Sequence, residues 1–349
     1  METRIEKITG NRAEDRKIIE EAAEIIKAGG LVAIPTETVY GLAGSALMAE
    51  SARKIYEAKG RPSDNPLIVH ISKPEEAENI AYTSDIYYRL AERFMPGPLT
   101  VILPKKDCVP DSVTGGLDTV AVRCPKNPVA RAIIKASGHP LAAPSANTSG
   151  MPSPTEAEHV YHDMKGKIPL IIDGGKCSIG VESTVVKPVD GGVMILRPGR
   201  ISVSMLKSVV DRVEVAKAVT DPEIAEGQKA ESPGMKYRHY SPKADIILID
   251  SGHDRFVSYV CENIKKGEGA LITTEYLGKI RDLPEGCVIF DAGGTKLASE
   301  RNRRIFSILR RADDLGLRRL YIQLPPSGGQ FLALYNRVIR AAGGKIIKI

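Results

Sequence analysis

Two hydrophobic periods take turns along this chain. The segment "RAEDRKIIEEAAEIIKAGG" carries apolar residues at helical spacing and stops on a glycine pair, which predicts an amphipathic helix. "LVAIP" follows as a short buried strand, then "MAESARKIYEAKG" as a helix ending at Gly60 and "NPLIVHI" as a second strand. Further apolar runs ("LTVILP", "TVAVRCP", "PLAAP", "PLIIDGG", "STVVKP", "VMILRPG") read as strands, and helical patterns such as "PVARAIIKASG" and "TEAEHVYHDM" alternate with them. The expected class is α/β, with a mixed, twisted sheet and helices.

Between about Val210 and Lys243 the periodicity fades into glycine, proline and charge, as in "AEGQKAESPGMKYRHYSP". The pattern predicts a linker over 211–243 between a domain at 1–210 and a smaller one at 244–349. In the latter, "ADIILID", "RFVSYVCENIKKG", "GALITTE", "CVIFDAGG", "NRRIFSILRRADDLG", "RRLYIQLP" and "ALYNRVIRAAGG" alternate strand and helix. That order predicts a Rossmann-like α/β domain, although it lacks the GxGxxG of a dinucleotide site. No internal repeat or low-complexity tract is present.

Composition narrows the class. With 349 residues, 42% apolar and 26% charged, two globular domains are expected and disordered or collagen-like classes are excluded. No run approaches the ~20 apolar residues of a membrane span, and "METRIEKITGN" lacks the layout of a signal peptide, so a cytoplasmic protein is expected. The five cysteines are scattered, without a CxxC, and suggest neither a disulfide framework nor a metal site. The net charge of +6 sits mostly beyond Ala244, where 17 Lys and Arg face 12 Asp and Glu. So diffuse a surplus reads first as a solvated surface.

The chain holds no GxxxxGK[ST], HExxH or GxSxG, so any phosphate must be gripped by side chains rather than by a P-loop. One stretch gathers suitable groups, "KGRPSDNPLIVHI". Lys59 at a helix end is explained well enough by the helix dipole. Arg61, held between Gly60 and Pro62, is restrained by the following proline. Strand alternation puts Leu67, Val69 and Ile71 on one face and Ile68 and His70 on the other; Thr119, Ala121 and Arg123 likewise share a face. Other predicted strands deliver Thr36 and Thr38, Ser145, Asn147, Ser149 and Ser153, Ser183, and Arg197 at or beside their ends. Singly these are ordinary loop residues. Together they describe a polar pocket at one edge of an α/β sheet, with Lys59, Arg61, Arg123 and Arg197 suited to a multiply charged anion.

The stretches "PTETVYGL", "KIYEAKGRPSDNPLIVHI", "MPGPLTVIL", "GLDTVAVRCP", "PLAAPSANTSGMPSPT", "IIDGG", "GVESTVV", "LRPG" and "SPGMKYRHYSP" resemble, in order, the YrdC-type threonylcarbamoyl-AMP synthases in their long, two-domain form. The resemblance runs from about Val32 to Pro242. It implies a YrdC-like sheet domain, a linker and a Rossmann-like domain. It also implies a nucleotidyl transfer in which L-threonine, bicarbonate or CO2, and ATP with Mg2+ give L-threonylcarbamoyladenylate and pyrophosphate, the first step of tRNA threonylcarbamoyladenosine modification. Carried over residue by residue, it makes Lys59 and Arg61 catalytic. It puts Lys59, Arg61, Asn65, Ser145, Asn147, Ser153, Arg197, Ser232 and Tyr240 on the nucleotide. Thr36, Thr38, His70, Thr119, Arg123, Ala143 (through its backbone) and Ser183 fall around threonine, and no side-chain metal ligand set is implied. The segment with Ser232, Tyr237, His239 and Tyr240 would cover the pocket and exclude water. Ile34, Ala43 and Met95 depart from the family's usual residues without removing a charged group.

The resemblance also implies hand-off of the product to a threonylcarbamoyl transferase complex acting on tRNA; direct tRNA binding by this chain is left open by the sequence. Two other readings compete. An RNA-binding module would rest on "RNRRIFSILRR" and "LGLRRL", but Phe and Tyr make up only 5% of the chain and its first two thirds are nearly neutral. A carbamoyl-transferring maturation protein would need acylphosphatase-like and zinc-finger segments, which this sequence lacks.

Overall fold

The computed structural model describes residues 1–221 and 240–349. Among them, eleven strands form one large sheet: β1 (Arg4–Lys7), β2 (Val32–Ile34), β3 (Gly41–Ser45), β4 (Ile68–His70), β5 (Leu99–Pro104), β6 (Thr119–Arg123), β7 (Leu141–Ala142), β8 (Leu170–Asp173), β9 (Thr184–Val189), β10 (Gly192–Arg197) and β11 (Arg212–Val215). They lie in the order β1-β8-β2-β3-β7-β4-β6-β5-β9-β10-β11. Pairing is mixed: β4 and β6 run parallel, whereas β7 is antiparallel to both β3 and β4.

Seven α-helices accompany this sheet: α1 (Arg12–Lys27), α2 (Ala49–Lys59), α3 (Asp85–Phe94), α4 (Asp111–Thr114), α5 (Pro128–Ser137), α6 (Ala157–Met164) and α7 (Val203–Lys207). Asn11 and Asn127 cap α1 and α5 by accepting backbone N–H groups, and Pro128 occupies the first turn of α5 where no N–H is missed. Alternation in β2 sorts the core. Val32 and Ile34 belong to one core with Ala22 and Ile26 of α1 and Ile133 of α5, while Ala33 belongs to the core on the other face, which also holds Ile55 of α2, Leu90 of α3 and Val160 of α6.

The second unit is a five-stranded parallel sheet in the order β14-β13-β15-β12-β16, built from β12 (Asp245–Asp250), β13 (Glu268–Ile272), β14 (Val288–Asp291), β15 (Arg319–Gln323) and β16 (Ile346–Lys348). Helix α8 (His253–Asn263) packs on one face, and α9 (Ala298–Asp314) with α10 (Leu332–Ala342) on the other, the doubly wound arrangement expected from the sequence.

Three differences from the sequence reading matter. The large sheet continues through β11 and a short turn of helix whose Ala218 and Val219 are buried, so 212–219 is ordered structure rather than linker. Strand β3, "GLAGS", was not expected, since its small residues have little strand preference; β2 and β7 hold it on either side. The basic surplus of the second unit is not all solvated: Arg301, Arg310, Arg337 and Arg340 are buried.

Packing between the two units is direct. Val39 and Val181 of the first share a core with Phe306 of α9 and Val338 of α10. Gly180 adopts φ +82, and a Cβ there would stand 2.4 Å from the Cα of Arg303. Only glycine permits that approach.

Candidate active site

A cleft of about 650 Å³, counted out to its open mouth, lies where the two units meet. Its polar lining comes from six places: the end of α2 (Lys59, Arg61), β4 (His70), the end of β6 (Arg123), the loop after β7 (Ser145, Asn147, Ser149, Ser153), Glu182 before β9, and Arg197 at the end of β10. Thr38, Ala143 and Tyr240, also drawn from the sequence reading, line it too. Four cations thus face one carboxylate among the lining side chains.

Local rules explain how α2 delivers its two cations. Gly60 takes the left-handed conformation at φ 60, and the Arg61 amide donates back to the Tyr56 carbonyl, closing the helix. Lys59 therefore turns inward. It is 1% exposed, and its Nζ donates to the backbone carbonyls of Ser145 and Asn147, a role well beyond that of a helix-end charge. Burial, reinforced by Arg61, pushes its ammonium well below the ordinary lysine value. Arg61 donates through Nε to the Asn65 carbonyl at 3.2 Å and through Nη2 to Pro66 at 3.0 Å.

Two further cations are aimed by partners. Arg197 donates through Nε to the Ser183 carbonyl at 3.1 Å and through Nη2 to Ser183 Oγ at 3.0 Å, and that hydroxyl is itself bonded to Thr100 Oγ1. Arg123 donates to Glu37 Oε1 at 2.7 Å, both residues being buried. Burial alone would raise the Glu37 carboxyl; Arg123 and backbone amides outweigh it and hold the pKa below the ordinary value. Glu182 behaves alike: burial raises it, while Arg337, Arg197 and the Ser153 hydroxyl bring it below the usual range.

The sequence-predicted residues separate into three groups. Lys59, Arg61, Ser145, Asn147, Ser153, Arg197, Tyr240, Thr38, His70, Arg123 and Ala143 line the cleft. Asn65, Ser183 and Thr36 stand behind it: Asn65 is the acceptor for Arg61, Ser183 orients Arg197, and Thr36 Oγ1 bonds Thr38 Oγ1 at 2.9 Å. Thr119 does not join them. It begins β6, four residues or about 13 Å of strand from Arg123, beside Pro104 of β5. Ser232, Tyr237 and His239 lie outside the described residues. Tyr240 is buried at φ 65, stacked on Phe306 at 5.2 Å between ring centres.

Glu37 and Glu182 went unremarked in the sequence. Each sits inside a quoted motif, "PTETVYGL" or "GVESTVV", and an acidic residue bordering a buried strand was the available signal. Two buried amide oxygens, Oδ1 of Asn65 and of Asn147, have no hydrogen-bond partner among the described residues, and buried acceptors of this kind are normally satisfied. No group of three His, Cys, Asp or Glu side chains among the described residues is placed to hold a metal ion. Among the same residues no helix is long and apolar enough to cross a membrane.

His70 gives a pH prediction. Burial, then Arg123, pushes its imidazole down to about 3, so it is neutral in the folded chain. The unfolded chain binds a proton there below about 6.5. The stabilisation is therefore complete above that pH and is lost as pH falls toward 3, with a slope of up to ~1.4 kcal/mol per pH unit from this one group. His159, also lowered by burial, adds a slope of the same sign. Urea unfolding of His70→Asn between pH 4.5 and 6.5 should show a shallower loss of stability than wild type; equal slopes would contradict a buried neutral His70.

Residues 24–199 match the family model described as telomere recombination (Sua5/YciO/YrdC), and residues 201–343 match the threonylcarbamoyl-AMP synthase C-terminal domain. The chain is 43% identical over 331 residues to the threonylcarbamoyl-AMP synthase of Pyrococcus abyssi, covering 94% of this chain and 95% of that protein. It is 41% identical over 340 residues to the Bacillus subtilis protein of the same name, covering 95% and 94%. A crystal structure of P. abyssi Sua5 complexed with L-threonine superposes with a TM-score of 0.87 at 39% identity over 100% of both chains. Matches of this extent, on a cleft already lined by the quoted motifs, establish that the chain belongs to the two-domain threonylcarbamoyl-AMP synthase family.

Proposed function

We propose that the cleft carries out nucleotidyl transfer, converting L-threonine, bicarbonate or CO2, and ATP into L-threonylcarbamoyladenylate and pyrophosphate. The observation that carries this reading is the convergence of Lys59, Arg61, Arg123 and Arg197 with the hydroxyls and amides of the loop after β7 in a single cleft. In the reaction, the threonine amine and CO2 form a carbamate with loss of a proton; where bicarbonate is the source, it supplies the CO2 with release of water. A carbamate oxygen then bonds to the α-phosphorus as its bond to the bridging oxygen breaks, and pyrophosphate leaves with that electron pair. Negative charge builds on the phosphates, and no covalent enzyme residue is required.

Lys59, Arg61 and Arg197 take the phosphates, with Ser145 and Ser149 supplying neutral hydrogen bonds. Asn147, whose amide hydrogens go to the Thr148 and Met151 carbonyls, and Ser153, whose hydroxyl donates to Glu182, offer acceptor oxygens to the nucleotide's own N–H and O–H groups. Asn65 acts through Arg61. Arg123, steered by Glu37, pairs with the threonine carboxylate; His70, neutral, and Thr38 flank the amino acid, Thr36 holding Thr38. The Ala143 amide is taken by the Ile68 carbonyl, which leaves the Ala143 oxygen to a ligand. Ser183 serves both sides by fixing Arg197; Thr119, two residues before the Ala121 that pairs with cleft-lining Ile68, is itself not among the lining side chains. Tyr240 closes one wall. Mg2+ enters with ATP. The cleft's cation-rich donor set suits an ion carried by phosphate oxygens and water rather than by a protein cage.

The product is an activated acyl donor, so it calls for an acceptor system, for which the threonylcarbamoyl transferase acting on tRNA is the fitting partner. A direct RNA-binding role loses two of the cations it would rest on, because Arg301 and Arg310 of "RNRRIFSILRR" are buried, while Arg303, Arg311 and Arg318 stay exposed. Mass spectrometry of a reaction with 13C-bicarbonate tests the assignment. We expect a threonine- and ATP-dependent adenylate carrying one 13C; label-free AMP or ADP as the only nucleotide product would overturn it.

A further inference from the structure

Two buried arginines of the second unit act on the loop after β7, Arg310 by direct contact and Arg337 through Glu182. From α10, Arg337 is 0% exposed and donates through Nε to Glu182 Oε2 at 2.8 Å. The other oxygen of that carboxylate accepts from Ser153 Oγ. Glu182 and Ser153 both line the cleft. From α9, Arg310 donates to both oxygens of Asp163, at 3.2 and 2.7 Å, and to the Pro152 carbonyl at 2.6 Å; Asp163 Oδ2 in turn accepts the Thr148 amide at 3.1 Å. The loop is thus gripped at Pro152 directly, and at Thr148 and Ser153 through Asp163 and Glu182, by a unit that, among the described residues, contributes no charged side chain to the cleft lining itself.

The energetics favour a positional role over a purely adhesive one. Replacing a buried ion pair by apolar side chains of similar size often costs nothing, so such a pair is weak evidence for stability. A carboxylate that takes a guanidinium on one oxygen and a hydroxyl on the other fixes where that hydroxyl stands. The ring of Tyr240, another lining residue, also rests against this guanidinium, 5.2 Å from it. The first unit alone could not set this geometry.

We propose that Arg337, acting through Glu182, is a positioning residue for the nucleotide side of the cleft, so that the second unit completes the site by setting Ser153, with Arg310 anchoring the same loop. This rests on the assignment of Ser153 to the nucleotide made above. The consequence is a selective one: loss of Arg337 disturbs ATP and spares threonine, whose residues Arg123, His70 and Thr38 are held by other contacts.

Calorimetric titration of the full chain with ATP, and separately with L-threonine, tests this without relying on turnover. Arg337→Met and Ser153→Ala should each weaken ATP by about tenfold, the loss expected when a ligand hydrogen bond is misplaced. Threonine affinity should stay within about twofold, and the double variant should bind ATP little worse than either single one, since both act on one contact. Arg337→Lys should recover part of the loss. If Arg337→Met does not fold, Glu182→Gln, isosteric and uncharged, takes its place in the cycle with the same expectations. Unchanged ATP affinity in the folded variants, fully additive losses, or equal losses for both ligands would each overturn the positioning role. Wild-type protein that binds no ATP would overturn the nucleotide assignment itself, and this proposal with it.

Discussion

Replacing Lys59 by methionine is expected to lower kcat/KM for pyrophosphate release by about 10²–10³-fold, the range found when one preorganised donor to developing charge is removed. An ammonium has three donors. Two of them go to the carbonyls of Ser145 and Asn147, so the side chain both shapes the loop after β7 and brings positive charge to the cleft. Methionine matches the length of the stem and keeps the packing of α2, yet leaves both carbonyls without their donor. The structural cost is about 1–3 kcal/mol per carbonyl stranded. Circular dichroism with steady-state kinetics separates the two effects: folded protein with lost turnover is the predicted outcome. Arginine should not rescue, since a forked guanidinium cannot occupy a site that is 1% exposed and shaped for a point charge. Turnover within a factor of about three of wild type in folded Lys59→Met would remove Lys59 from the reaction.

The second large effect falls on stability. Glu37→Ala leaves the Arg123 guanidinium buried without its carboxylate, and breaking a buried pair in this way costs about 3–5 kcal/mol. Glu37 also accepts the backbone amide of Lys126 at 3.0 Å, tying the strand containing Arg123 to the start of α5. Chemical denaturation should show the lowered midpoint, and threonine should restore part of it, because its carboxylate offers Arg123 the missing partner. The double variant Glu37→Ala with Arg123→Met, which removes both charges, should be more stable than Glu37→Ala alone yet show no threonine-dependent rise. A single variant as stable as wild type would mean that the pair contributes nothing to the fold.

Much of this was legible in the sequence because the strands are short apolar runs with polar ends. Periodicity placed β2, β4, β5, β6, β8, β9 and β10, and the alternation in "LIVHI" correctly put His70 opposite Leu67, Val69 and Ile71. Other features depend on contacts across the chain. The partners of Lys59 lie 86 and 88 residues away, so its local context pointed to a helix dipole. Strand β3 is built of glycine, alanine, serine and a single leucine and exists because its neighbours pair with it. Arg337 and Arg310 read as surface charge until α9 and α10 are seen packed on the first unit. Thr119 is a different case, absent from the cleft lining. It shares a face with Arg123, but alternation says nothing of distance along the strand, and it sits at the far end of β6.

The central claim is that the cleft couples threonine and bicarbonate to cleavage of ATP, and one assay reaches it most directly: pyrophosphate release by purified protein with each substrate omitted in turn, alongside Arg61→Ala. Release that requires both L-threonine and bicarbonate and is lost in the variant is the predicted result. Release that continues without threonine, or survives in Arg61→Ala, would contradict it.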